Sequence, residues 1–202
     1  ERAALVGGSG VDLGRFERGG APDEPPIFLL IARLIREKGI TQFVDAARNL
    51  KRRHPEARFQ LLGPLDSNPT AISGDEIAEW QRSGIVEYLG ETDDVRPYLQ
   101  AASVFVLPSY YREGTPRTAL EALATGRPVV TTDAPGCRET VVEGVNGFLV
   151  EPRDVTSLEQ AMERFLVAPE LIATMGAASR QLAESKYDVN LVNAAMLDRL
   201  GL

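Results

Sequence analysis

The chain has 202 residues, a formal net charge of −7 from 29 acidic and 22 basic side chains, and an ordinary globular hydrophobic share of 44%. That balance disfavours nucleic acid as a partner, because neutralising phosphates needs a concentrated basic face. A lone cysteine, Cys137, excludes an internal disulfide framework and a cysteine-built metal cluster, and the longest apolar runs, Ile27–Ala32 and Val104–Leu107, are too short to cross a bilayer.

Residues 1–26 read as a linker-like segment. Glu1 to Phe16 has neither a basic start nor an apolar signal run, and Glu17 to Pro26 is polar and rich in Gly and Pro. A chain that begins this way is expected to be a piece of a longer protein. Gly7-Gly8-Ser9-Gly10 resembles a phosphate loop only superficially, since no Gly-Lys-Ser/Thr follows and no strand and helix flank it.

From Ile27 onward short apolar runs alternate with longer amphipathic ones. Strands are expected at Ile27–Ala32, Arg58–Gly63, Ile85–Leu89, Val104–Leu107, Pro128–Thr131 and Gly147–Val150. Helices are expected at Gly39–Arg53, Ser73–Arg82, Asp93–Ala102, Pro116–Thr125, Arg138–Glu143, Val155–Leu166, Glu170–Ser185 and Asn190–Leu200, with Asp154 as an acidic cap. Strands that are apolar throughout need helices on both sheet faces. The pattern therefore predicts a three-layer α/β/α Rossmann-like domain over residues 27–185, with a mostly parallel six-stranded sheet of order 3-2-1-4-5-6. A C-terminal helix occupies residues 186–202.

In such a sheet, ligands bind beyond the carboxyl ends of the strands, where strand order reverses. The first strand is followed by Arg33-Leu-Ile-Arg36-Glu-Lys38-Gly39. The planar fork of Arg33 and the compact charge of Lys38 suit opposite sides of a diphosphate; a solvated loop fits the spacing equally well. Arg36 is expected to point outward. The fourth strand leads into Pro108-Ser-Tyr-Tyr-Arg112-Glu113-Gly114-Thr115-Pro116-Arg117. Pro116 suits a first helical position and Thr115 a cap, which would aim the free amides of Arg117 and Thr118 at the crevice as an anion site. Glu113 and Glu121 flank that start. Carboxylates accept strong hydrogen bonds from sugar hydroxyls, so Glu113 could hold a hexose and Glu121 a ribose; taken alone, Glu121 reads as a surface helix residue.

Elsewhere the plainer readings hold. Lys51-Arg52-Arg53-His54 ends a helix, where cations favour the dipole, with an anionic membrane or a lipid diphosphate as the alternative contact. His54 is expected to face solvent with no acid beside it, Trp80 to pack a helix on the sheet, and Cys137 to lack a base that would make it a nucleophile.

Taken together, Arg33, Lys38, Glu113 and Glu121 give a sequence that resembles the C-terminal domain of retaining, GT-B-fold glycosyltransferases, specifically the glycosyltransferase group 1 family. The sharpest piece is Glu113-Gly-Thr-Pro-Arg-Thr-Ala-Leu-Glu121, which fits the family's Glu-x₇-Glu pattern, followed by Gly126-Arg-Pro-Val-Val130. Ser9-Gly-Val-Asp-Leu-Gly-Arg-Phe16, Gly90 and Glu143-Gly-Val-Asn-Gly-Phe-Leu-Val150 support it, and the resemblance spans Gly8 to Arg199. It implies that Arg33 and Lys38 bind the donor diphosphate, that Glu121 holds the ribose, and that Glu113 contacts the transferred sugar. The amides around Gly114–Arg117 would meet the distal phosphate, with Thr115, Pro116 and Thr118 lining the same donor pocket, and the base would lie near Ile85–Tyr88, at Val86. It further implies transfer of a hexosyl unit from a nucleotide-sugar, a uridine diphosphate sugar first, with retention at the anomeric carbon. No metal or other cofactor is called for, since Arg33 and Lys38 supply the positive charge. An N-terminal acceptor-binding domain is the implied partner, reached by the C-terminal helix. A lipid-linked acceptor would place the full-length protein in the cytoplasm at the inner face of the membrane. Three departures leave the sugar open: Ala32 where the family often has Gly, Gly63-Pro64-Leu65-Asp66 after the second strand, and Glu-Gly-Thr-Pro-Arg in the donor loop.

Three other readings compete. A nucleotide-sugar-binding module without transfer activity would share the fold. A UDP-sugar epimerase-like domain would need histidine and acid chemistry across the cleft, where the chain has only His54. A nicotinamide dehydrogenase is opposed by the missing Gly-x-Gly-x-x-Gly turn after the first strand.

Overall fold

The strand β1 (Ile27–Ile31) reads Ile-Phe-Leu-Leu-Ile, and every one of its residues is buried. Its alternate side chains reveal two covers: Phe28 and Leu30 belong to one core, Leu29 and Ile31 to the other. The computed structural model describes residues 10–20, 25–112 and 114–200. Within them β2 (Arg58–Leu62), β3 (Glu87–Tyr88), β4 (Val104–Leu107), β5 (Val129–Thr132) and β6 (Gly147–Val150) join β1 in one six-stranded sheet of order β3-β2-β1-β4-β5-β6. Every pairing is parallel. The expected order and layer architecture are the observed ones.

The first core lies under α1 (Ile40–Lys51), α2 (Gly74–Arg82) and α5 (Val155–Val167); the second lies under α3 (Arg96–Ala101) and α4 (Arg117–Ala124). Phe59 anchors the first, its ring stacked on Phe28 at 5.2 Å and met edge-on by Phe43 at 6.1 Å. Burying one such ring is worth on the order of 1.5–3 kcal/mol. Trp80 of α2 packs into this core as expected. Two helix starts are fixed by side-chain caps, of which Asp154 was expected. Ser73 forms a reciprocal capping box with Glu76 at the start of α2, and the Asp154 carboxylate accepts from the amides of Thr156 and Ser157 at 2.8 and 3.2 Å.

Several boundaries differ from expectation, each for a local reason. Expected helix 138–143 is only a 3₁₀ turn, Arg138–Thr140, because the Asn146 side chain takes over the backbone there, bonding Thr140 O and Val142 N. The α3 helix begins at Arg96 rather than Asp93, since Asp94 accepts from the Arg96 amide as a turn residue. After α6 (Glu170–Leu182) the chain passes into a π-helical turn, Ala183–Tyr187, that buries Tyr187, and then into α7 (Val189–Leu200).

The stretch read as linker-like is the largest correction. Residues 10–20 are packed onto the domain: Val11 exchanges backbone hydrogen bonds with Tyr187 and Val189, and Gly19 N donates to Thr125 O at 3.0 Å. Arg180 donates to Phe16 O, and buried Arg127 donates to Gly20 O. Burial, aided by neighbouring Arg18, pulls the Arg127 pKa down to about 10. A Gly- and Pro-rich composition signals irregular backbone, but it is silent on whether that backbone finds partners.

Candidate functional site

The site is built where the strand order reverses, between the carboxyl ends of β1 and β4. These two strands are hydrogen-bonded neighbours and their exit loops are stapled together. Glu37 O, in the β1 loop, accepts from Tyr110 N at 2.9 Å, Tyr111 N at 3.1 Å and Ser109 Oγ at 3.3 Å. Gly39 makes the approach possible. Its φ is 77°, and a Cβ there would sit 2.2 Å from Pro108 O. The β2 loop joins in the same way, with Gly63 at φ 146° and a would-be Cβ 1.9 Å from Ala32 O.

This packing sets the cations. Lys38 ends a 3₁₀ turn, Arg36–Lys38, and is buried with its ammonium 5.1 Å from the Tyr111 ring centre. Arg33 is exposed and bridges to Asp66 at 3.2 Å. Arg36 points away to Glu76 at 2.9 Å, the outward course expected of it. The α4 helix begins at Arg117, one residue later than expected, with Pro116 in the cap position and no side-chain cap from Thr115. Ala119 N and Leu120 N return to Pro116 O. Among the described residues the amides of Arg117 and Thr118 have no partner, which leaves a positive helix end facing the crevice. One open cavity is lined by Arg33, Lys38, Leu107, Pro116, Arg117 and Thr118.

Glu121 lines an adjoining cavity that shares Arg117. Its half-buried carboxyl group is raised above its ordinary pKa by burial, an effect opposed by Arg117 and Arg15. The other wall is Gly10, Asp12, Arg15 and Phe16, from the stretch that composition assigned to a linker. The Gly-Val-Asp-Leu-Gly-Arg-Phe run was the available signal. Asp12 holds that wall in shape, its Oδ1 accepting from Gly14 N and Arg15 N, each at 2.9 Å.

The remaining candidates separate. Gly114 is exposed and Thr115 half-buried beside the crevice. The Val86 side chain belongs to the first core and has almost no surface to offer a base. Glu113 lies outside the described residues. Tyr110 and Tyr111, which no motif singled out, pack the loop between β4 and α4.

Away from the crevice, His54 is half-buried rather than solvent-facing, and its Nε2 lies 3.2 Å from Glu163. The acid it was expected to lack comes from α5, remote in sequence. Cys137 is fully buried. No three His, Cys, Asp or Glu side chains cluster as metal ligands, and no helix is long and apolar enough to cross a membrane, among the described residues.

The family profile described as glycosyl transferases group 1 matches residues 15–182. Over 170 residues the chain is 35% identical to an N,N'-diacetylbacillosaminyl-diphospho-undecaprenol alpha-1,3-N-acetylgalactosaminyltransferase of Campylobacter jejuni, covering 84% of this chain and 43% of that one. Among solved structures, sucrose-phosphate synthase from Thermosynechococcus elongatus superposes with a TM-score of 0.80 at 29% identity, covering 95% of this chain and 50% of that one. Anabaena HepE, solved in complex with UDP and glucose, superposes at 0.76 with 23% identity, a likeness of fold, covering 95% and 55%. The chain thus spans about half the length of the relatives it matches.

Proposed function

Because this chain belongs to the glycosyl transferases group 1 family, we propose that it is the donor-binding half of a retaining glycosyltransferase, one that moves a hexosyl unit from a nucleotide-sugar to a saccharide or lipid-linked saccharide. The observation that carries the reading is the convergence of Arg33, Lys38 and the open α4 N-terminus on one cavity at the sheet's switch point.

The chemistry follows from where charge develops. As the bond between the anomeric carbon and the diphosphate oxygen breaks, negative charge accumulates on the leaving diphosphate. Lys38, held by its buried surroundings, and the Arg117 and Thr118 amides are already aimed there, so they need little reorganisation. Arg33 joins by exchanging its exposed bridge to Asp66 for a phosphate oxygen. Glu121 accepts from the ribose hydroxyls, a contact that favours its charged form. Glu113 is assigned to the transferred sugar by the family pattern.

UDP is the first donor nucleotide to try, the one held by Anabaena HepE. The C. jejuni relative acts on an undecaprenol-linked sugar, which supports a lipid-linked acceptor and a place for the full-length protein at the inner face of the membrane. The acceptor wall belongs to an N-terminal domain. Positioning donor against acceptor is worth on the order of 7–11 kcal/mol in favourable cases, so this half alone binds nucleotide weakly and transfers essentially no sugar. Calorimetry with UDP tests the reading: Lys38→Ala should weaken binding at least tenfold, as expected for loss of a charge-assisted hydrogen bond. Unchanged affinity would remove the diphosphate site.

A further inference from the structure

Arg153, in the loop after β6, adopts φ 66°, the one non-glycine residue with positive φ among those described. That conformation is strained for a side chain with a Cβ. The local turn sets the backbone, since Asp154 N donates to Glu151 O at 3.2 Å around Pro152, and such a turn takes positive φ at its third residue, where glycine or asparagine is usual rather than arginine. The side chain reaches across the carboxyl edge of the sheet, where its guanidinium carbon lies 4.4 Å from the centre of the Tyr110 ring. Tyr110 donates its amide to Glu37 O. The Glu37 carboxyl group accepts from Thr70 Oγ1 at 2.6 Å and is held below its ordinary pKa chiefly by that bond, with Arg153 among the charges that contribute. The loops after β1, β4 and β6 therefore meet at one junction, with Arg153 as the contribution from β6.

We infer that Arg153 is a positioning residue for the donor site: stacked on Tyr110, it holds the Ser109–Tyr111 segment against the β1 loop. That segment leads in sequence into Glu113, Gly114 and Thr115, and it abuts Lys38 through Tyr111. The functional half of the inference rests on the donor-site reading above; the ordering of the loop does not. The turn would take glycine more readily, but glycine would put no cation over the Tyr110 ring.

The preference of the backbone for glycine gives a clean test. Arg153→Gly relieves the strain, so its melting temperature should equal or exceed that of the unmutated chain. Hydrogen exchange of the 109–116 amides should nevertheless quicken about two- to fivefold, the range of an exposed cation–π contact. Arg153→Lys should restore slow exchange by keeping a cation over the ring, and Tyr110→Leu should reproduce the Arg153→Gly pattern with no further change in the double variant. Calorimetry with UDP and with UDP-glucose should show the Arg153→Gly loss mainly in the sugar-bearing ligand. Exchange that is unchanged in Arg153→Gly, or that quickens only around residues 151–157, would overturn the inference. UDP binding by the unmutated chain is measured alongside. Its absence would remove the donor-site reading and the functional half of the inference, whatever the exchange shows.

Discussion

Lys51, Arg52, Arg53 and His54 close α1, while Arg33, Lys38 and Arg117 rim the crevice between β1 and β4. As strings of letters the two groups are alike: basic residues at a helix end or in a loop. In the fold they differ. Arg53 reaches Glu159 at 2.7 Å and Glu163 at 2.9 Å, and His54 shares Glu163. Those partners raise the Arg53 pKa, so its charge is already engaged by α5 and is poorly placed to draw a membrane or a lipid diphosphate. At the crevice Arg33 makes a single exposed bridge, and Arg117 makes no ion pair among the described residues. The basic run that closes α1 is thus engaged by a neighbouring helix, whereas the crevice cations line an open cavity.

The most damaging way to break this contrast is to take the crevice apart and leave the α1 cluster whole. Gly39→Ala should do so, because the new Cβ meets Pro108 O in a backbone region that side chains disfavour. A loss of at least about 2 kcal/mol is expected, measured by urea denaturation. Next in size is the crossed pair Lys38→Ala and Arg53→Ala. Calorimetry should find UDP binding weakened only in the first. The second should lower the melting temperature slightly, by an amount that shrinks in 1 M salt as screening takes over the Glu159 and Glu163 contacts. Comparable UDP losses in both variants would dissolve the distinction.

The smallest effect sharpens the contrast from the acid side. Burial raises the Glu121 pKa in the folded state above its unfolded value. The stability it contributes is therefore fully present below the unfolded pKa and declines as pH rises through the folded one. Glu121→Gln should accordingly melt higher than the unmutated chain near neutral pH and lose that advantage in acid, while binding UDP less tightly through the ribose. A melting advantage that does not depend on pH would mean that the gain has another source.

Much of the fold was legible from local pattern. Runs such as Ile27–Ile31 and Val104–Leu107 are apolar without alternation, which calls for two helical layers, and the amphipathic stretches between them set the crossovers. Asp154 announced its helix because capping is a contact between near neighbours in the chain. Arg33, Lys38 and the start of α4 could be placed on one crevice because strand ends can be counted and the switch point follows from their order. What only the tertiary structure decided is pairing between remote residues: Glu163 beside His54, Arg153 over Tyr110, Gly39 under Pro108, and the Gly10–Phe16 wall opposite Glu121. Periodicity and composition report which face of an element is buried, but not which side chain lies across from it. That is settled by the register and tilt with which whole elements pack, so a loop read as a tether could become the wall of a site, and a basic run could spend its charge on the helix beside it.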